Sequence, residues 1–255
     1  MFNSSEVLIA LEKALNTTQL YMVYQPIFNL RTQSISGFEA LMRWNSPQMG
    51  MISPDIFITL LENTGNMFSI EDMVTNPPWD VAATWPDPIL LSVNISALEF
   101  SDPLLPQRVK QNLAASGLPA HRCQIEVTET SPLCDSQIAA KNMTELKAMG
   151  VELALDDFGT GHANLNYLLK YPFDTLKIDK EFVAGIEPDT KSTKIVEGII
   201  SLAHNFGIEV LAEGVETQSQ LERLTQIGCD KIQGFHISPP VMAEDIPALL
   251  LQHNR

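Results

Sequence analysis

Eight short segments rich in apolar and β-branched residues recur along this chain, and that recurrence limits its fold more than any other feature. They lie at about 20–28, 35–43, 89–96, 123–129, 151–157, 175–179, 209–214 and 231–237. Between most of them, apolar residues return every three or four positions, as in Met143, Leu146 and Met149, or Ile195, Ile199, Leu202 and Phe206. Each set should line the side of a helix that packs on a sheet. Strands alternating with helices argue for parallel β/α units, and eight strands are enough to close a barrel. One connection departs from the pattern, because only about six residues (Asn29 to Ser34) join the first strand to the second. A parallel crossover needs a dozen or more, so this pair should be an antiparallel hairpin. The expected fold is α/β, a TIM-like (β/α)8 barrel with the first strand antiparallel. No interdomain linker, low-complexity segment or internal repeat is visible, so one domain over 1–255 is expected.

Charge narrows the function. The chain carries 31 acidic and 16 basic residues, a formal net charge of −15. Bulk electrostatic attraction to a nucleic-acid polymer or an anionic membrane is therefore excluded, since both carry the same sign. No run of about 18 apolar residues exists to span a bilayer. The N-terminal stretch places Glu6 and Glu12 where a secretory signal needs an apolar centre. Cys123, Cys134 and Cys229 make an odd count with no CxxC spacing, which suggests buried thiols in a reducing, cytoplasmic setting.

The polar residues fall at a recurring place. Most of the later segments stay apolar until near their C-terminal end and then present an acid, an amide or a lysine: Glu39, Asn94, Glu126, Asp156 with Asp157, Lys177 with Asp179, Glu213 and Gln233. In a parallel barrel those ends meet at one mouth, where active sites lie. Alternation puts Lys177 and Asp179 on one face, and points Asp156 and Asp157 apart unless the strand ends between them. If the mouth gathers Glu39, Glu126, Asp156, Asp157, Asp179 and Glu213, six negative charges face only Lys177 and Arg43. Uncompensated buried carboxylates cost several kcal/mol each unless cations or protons meet them. Two divalent ions would balance the remainder, and oxygen donors without His or Cys favour Mg²⁺ or Mn²⁺ over zinc.

These residues, in this order, resemble the EAL domain family of cyclic di-GMP phosphodiesterases. The matching stretches are YQPI (Tyr24 to Ile27), FEALMRW (Phe38 to Trp44), VNIS (Val93 to Ser96), EVTET (Glu126 to Thr130), DDFGTG (Asp156 to Gly161), LKID (Leu176 to Asp179), AEGVET (Ala212 to Thr217) and QGF (Gln233 to Phe235). The resemblance implies hydrolysis of one phosphodiester of cyclic di-GMP to linear pGpG. Glu39, Asn94, Glu126 and Asp156 would hold one metal; Asp156 and Asp157 would hold a second, with Glu213 supporting it or its waters. Glu39, Lys177 and Glu213 would form the catalytic set, Lys177 orienting the attacking water. Gln25, Leu41, Arg43, Asp179 and Gln233 would meet substrate, Arg43 at a phosphate and the glutamines at guanine or ribose edges. Glu129 would brace the DDFGTG loop. A homodimer is expected on the same ground.

Two stretches depart from the family pattern. His162-Ala163-Asn164 replaces an aromatic and small serines, and Asn76-Pro77-Pro78 falls where a helix normally runs. Simpler readings compete for single motifs. DDFGTG alone could be an ordinary Gly-rich turn, although Asn164 stands where a dinucleotide fingerprint needs its third glycine. Lys177 and Asp179 could form a structural ion pair, and a helix macrodipole would account for Glu216. His162, His204 and His236 read as structural or surface residues, and Met42, Met49 and Met51 as packing. Taken together, the acids at matching strand ends favour catalysis. The rival is a non-catalytic cyclic di-GMP receptor or protein-interaction module, although degenerate family members typically lack some metal ligands and every expected ligand type is present here.

Overall fold

The computed structural model describes residues 4–14, 17–64, 78–128, 137–159, 166–187 and 190–254. After helix α1 (Ser4–Ala14) come β1 (Leu20–Asn29), β2 (Ser34–Ser46), β3 (Gly50–Ile52), α2 (Pro54–Thr64) and α3 (78–83). The remaining strands are β4 (Leu90–Asn94), β5 (Cys123–Thr128), β6 (Glu152–Phe158), β7 (Thr175–Ile178), β8 (Glu209–Ala212) and β9 (Lys231–Ile232). Between them run α4 (Ala97–Phe100), α5 (Leu105–Ser116), α6 (Gln137–Ala148), α7 (Asn166–Lys170), α8 (Lys180–Ala184), α9 (Lys191–Asn205) and α10 (Gln218–Gln226), with α11 (Ile246–His253) after β9.

Eight strands close the barrel. The sheet runs β1-β9-β8-β7-β6-β5-β4-β2, and β2 pairs back onto β1. β1 is antiparallel to both its neighbours, and the other pairings around the ring are parallel. The short β1–β2 connection produces this reversal, as its length requires. The main core is continuous around the ring, with Leu91, Ile125, Leu153, Leu176, Val210 and Ile232 all fully buried. Cys123 and Cys229 are buried free thiols, and Cys134 lies outside the described residues.

Three details differ from the sequence expectation. β2 continues past the barrel to Ser46 and pairs with the unforeseen β3, from Trp44 opposite Ile52 to Ser46 opposite Gly50. Val7, Leu11, Ala14, Trp44, Ile52 and Phe57 then form a second, smaller core beside the barrel. Met42 and Met49 pack against it as expected of filler residues, whereas Met51 is 60% exposed. The buried stripe of α9 is Thr193, Val196, Ile200 and Ala203; Ile199 and Leu202 sit at its margin, and Ile195 and Phe206 face outward. Small and hydroxylated residues at 193 and 203 hid this face from an apolar count, because close packing on the sheet favours them. Finally, β9 ends after Ile232 rather than near 237. The backbone of Val215 takes over, its N–H donating to Gln233 O at 3.1 Å and its carbonyl accepting from His236 N at 2.9 Å. Gly234 permits this approach, since a Cβ there would lie 2.1 Å from Val215 O.

Candidate metal centre at the barrel mouth

Each barrel strand delivers polar side chains to the C-terminal end of the parallel ring. Lys177, next to last on β7 and 1% exposed, lies at the centre. Its Nζ is 2.5 Å from Glu126 Oε2, 2.8 Å from Glu213 Oε1, 3.1 Å from Asp156 Oδ2 and 3.7 Å from Glu39 Oε1. Glu39 in turn accepts from Asn94 Nδ2 at 2.7 Å and from Gln233 Nε2 at 2.6 Å, and Gln233 Nε2 also reaches Gln25 Oε1 at 3.2 Å. Strand register explains the convergence: Gln25 lies opposite Glu39, and Asn94 opposite Glu126.

Asp156 and Asp157 reach the same place by a local irregularity. The β6–β7 register shifts between Leu155 and Phe158, and Asp157 adopts φ 55°. That left-handed conformation is uncommon outside glycine but tolerated by aspartate. It breaks the alternation that would point successive side chains apart. Asp156, Asp157 and Glu213 consequently each offer an oxygen within 4.8 Å of the others.

Electrostatics shows how unbalanced this cluster is. Burial, then the charge of Glu39, holds Glu126 well above the ordinary glutamate range despite Lys177. Burial and the neighbouring Asp156 raise Asp157 to about 6. Burial also raises Glu213 to about 8, with Lys177 opposing the shift and Asp156 and Glu39 adding to it. Burial disfavours the charge of Lys177, yet Asp156, Glu126, Glu213 and Glu39 together outweigh it and keep the ammonium protonated well above the usual lysine range. One lysine neutralises one acid, and the others are left short of positive charge. An all-oxygen donor set with excess negative charge fits a hard divalent cation.

Above the acids lies a cavity of about 1100 Å³. Glu39, Asn94, Asp156, Asp157 and Glu213 line its floor, and Gln25, Leu41, Arg43, Gln233 and Phe235 line it as well. The Arg43 guanidinium donates to Met42 O at 2.8 Å. Asp179 is placed differently from its neighbours: it is the N-cap of α8, accepting from Glu181 N at 2.7 Å, and among the described residues it does not line the cavity. The Lys177–Asp179 ion pair considered from sequence is therefore replaced by the pairing of Lys177 with four other acids. Glu216 lines the cavity at the start of the turn into α10, where its backbone N–H donates to Gln220 Oε1. His204 is a surface residue paired with Asp230. Glu129, His162-Ala163-Asn164, Asn76 and Pro77 lie outside the described residues, whereas Pro78 opens the described part of α3.

Sequence reasoning passed over Ser92 and Gln124. Ser92 Oγ donates to Glu126 Oε1 at 2.5 Å, and Gln124 is within 3.1 Å of the same hydroxyl. The signal was present in the alternation, because each stands two residues before a mouth residue on its own strand.

Residues 9–240 match the EAL domain family. The chain is 36% identical over 247 residues to MucR of Pseudomonas aeruginosa, described as a bifunctional diguanylate cyclase/cyclic di-GMP phosphodiesterase, covering 95% of this chain and 36% of that protein. It is 37% identical over 242 residues to the oxygen sensor protein DosP of Escherichia coli, covering 93% of this chain and 30% of DosP. The chain thus spans about a third of the length of these curated relatives. Among solved structures, the EAL enzyme Bd1971 with cAMP and cyclic di-GMP bound superposes with a TM-score of 0.90 at 32% identity, covering 97% of this chain and 68% of that one. The MucR phosphodiesterase in complex with cyclic di-GMP gives 0.88 at 36% identity, covering 94% and 99%.

Proposed function

This chain belongs to the EAL domain family, and on that premise we propose that it is a metal-dependent phosphodiesterase, one domain over 1–255, that opens cyclic di-GMP to linear pGpG. The observation that carries the reading is the gathering of Glu39, Glu126, Asp156 and Glu213 around Lys177 beneath a cavity roomy enough for a dinucleotide. Relatives with 32% and 36% identity hold cyclic di-GMP in their solved structures.

In this reading Glu39, Asn94, Glu126 and Asp156 hold one Mg²⁺ or Mn²⁺, and Asp156 and Asp157 hold a second with help from Glu213. Such a pair supplies an activated water and stabilises charge on the phosphoryl oxygens. The chain's own groups provide the rest. Lys177 Nζ, kept protonated by its acids, donates a hydrogen bond that orients the attacking water. Arg43 meets a phosphate, and Gln25 and Gln233 address guanine or ribose edges. Gln233 Oε1 is buried and, among the described residues, has no hydrogen-bond partner, an acceptor ready for a base N–H. The water oxygen forms a bond to phosphorus as one P–O3′ bond breaks, a proton given up by the water ends on the departing O3′ as a hydroxyl, and the second phosphodiester stays intact. Leu41, which lines the cavity, adds a further substrate contact, whereas Asp179, capping α8, lies outside that lining. The proposed form is a cytoplasmic homodimer, with no nucleic-acid polymer or membrane as partner. Among the described residues, no helix is long and apolar enough to cross a membrane.

Purified protein incubated with cyclic di-GMP and Mg²⁺ or Mn²⁺, with products resolved by chromatography, tests this reading. Linear pGpG that vanishes in EDTA supports it. Nucleotide binding without turnover in either metal overturns it in favour of the receptor role.

A further inference from the structure

Beneath the acids the barrel interior is polar, and the roles assigned above leave that layer without a task. Ser92, Gln124 and Thr175 are each at most 1% exposed. They stand two residues before Asn94, Glu126 and Lys177 on β4, β5 and β7, so alternation stacks them on the same inner face, one layer below the mouth. Gln124 Nε2 donates to Thr175 Oγ1 at 2.9 Å and to Glu152 Oε2 at 3.2 Å, which turns its Oε1 toward Ser92 at 3.1 Å. Ser92 Oγ has one proton and two acceptors in reach. Glu126 Oε1 at 2.5 Å is the nearer, and in the ionised form that a cation would bind Glu126 is the stronger acceptor. The opposite oxygen of Glu126, Oε2, accepts from Lys177 at 2.5 Å. Each oxygen of this buried carboxylate is thus gripped by one donor, one from below and one from the mouth.

We propose that Ser92, framed by Gln124, is a positioning residue that fixes the carboxylate of Glu126 as a preformed metal ligand. This inference rests on the metal-dependent reading above. Without the serine hydroxyl, Glu126 would keep only the Lys177 side-chain hydrogen bond among the described residues and could turn about its terminal torsion, so binding an ion would have to order it. Partners of this kind behind a metal ligand typically change metal affinity by about 10–100-fold.

Titration calorimetry with Mn²⁺ on wild type, Ser92→Ala, Ser92→Thr and Ser92→Cys tests the inference without relying on turnover. Ser92→Ala should weaken Mn²⁺ binding by about tenfold or more and lower kcat, with KM for cyclic di-GMP changed less than about threefold. Ser92→Thr restores the hydroxyl and should recover most of the affinity, whereas Ser92→Cys, a weaker donor, should fall between. Wild-type affinity in Ser92→Ala overturns the inference, as does a lower melting temperature in EDTA with unchanged Mn²⁺ affinity. If Ser92→Ala does not fold, the Thr and Cys variants decide, and equal affinity in both overturns it. A wild-type protein that binds no Mn²⁺ overturns the parent reading and this inference together, a result distinct from wild type binding while Ser92→Ala binds equally well.

Discussion

The two ends of the barrel handle charge in opposite ways. At the N-terminal end of the parallel strands two acids each have a lysine of their own. Lys147 Nζ lies 2.6 Å from Asp174, and Lys231 Nζ lies 2.7 Å from Glu209. Asp174 also accepts the Leu153 backbone N–H at 2.8 Å. These pairs are partly solvated, with side-chain exposures of 30% and 32% for Lys147 and Asp174. At the mouth, Glu39, Glu126, Asp156 and Glu213 share Lys177, and the Glu126 side chain is fully buried. The lower pairs are each balanced one to one, and Glu152 beside them accepts from Gln124 Nε2 at 3.2 Å. The upper end is unbalanced by design of its register, and a chain selected for stability alone would not keep it that way. That contrast is a physical ground, independent of any relative, for the site proposed above.

Removing a mouth acid should separate activity from stability most sharply. Glu39→Ala is expected to lower kcat for cyclic di-GMP by a factor on the order of 10³, while the melting temperature in EDTA holds or rises because one repulsive carboxylate is gone. Steady-state kinetics beside thermal denaturation checks this, and a near-normal rate removes Glu39 from the catalytic set. Lys177→Ala should act next most strongly, depressing kcat on the order of 10²-fold. Nucleotide affinity should change less. Equal losses in kcat and affinity would mean that Lys177 only holds substrate. This variant leaves its acids without their shared cation, so Mn²⁺ should stabilise it more than it stabilises wild type.

How far these regions could be read in advance depends on which interaction set each feature. Barrel class and the reversed β1 follow from strand count and the length of one loop, which are local properties. Candidate site residues stood out because an acid at the end of an apolar strand is costly unless it has a purpose. What stayed hidden was set by contacts distant in sequence. Trp44 and Phe57 meet at 5.8 Å between ring centroids in the small core, a pairing no periodicity reveals. The placement of Asp157 beside Asp156 depends on a backbone irregularity, and sequence offered only a conditional statement. Asp179 shows the reverse case: its position after an apolar strand suits a mouth residue, but the following helix uses its carboxylate as a cap. Ser92 and Gln124 were overlooked because neutral polar residues inside a strand carry no charge to draw notice.

The mouth should also respond to pH. Asp157, raised to about 6, and Glu213, raised to about 8, bind protons more tightly folded than unfolded. A carboxyl raised on folding adds stability fully below its unfolded value and loses it as pH climbs through the folded value. In EDTA this contribution is therefore present near pH 4 and is lost across about pH 4 to 8, Asp157 giving way first. Glu213→Gln removes the later part of the loss, so its melting temperature should fall less than that of wild type between pH 6 and 8. Saturating Mn²⁺, which binds the ionised form, should flatten or reverse the wild-type slope. Identical EDTA slopes for wild type and Glu213→Gln would mean that Glu213 ionises freely and that the mouth is less strained than its geometry indicates.

The smallest effect belongs to the other end, and it decides whether the contrast is real. Asp174→Ala deletes the Lys147 ion pair and leaves the Leu153 N–H without its carboxylate acceptor. An exposed pair is worth at most about 1 kcal/mol, and a hydrogen bond to a charged group somewhat more, so a loss of about 1–2 kcal/mol in unfolding free energy is expected. Because the lost pair is partly solvated, most of its own share should vanish in high salt, leaving the hydrogen-bond share behind. Asp174 and the mouth lie at opposite ends of the strands, so kcat and Mn²⁺ affinity should stay within about twofold of wild type, the spread expected of independent sites. Denaturant titration at low and high salt measures the first quantity, and calorimetry with Mn²⁺ the second. A large fall in metal affinity would show that charge at the N-terminal end of the strands is felt through the polar interior at the mouth, and the two ends would then have to be treated as one electrostatic unit.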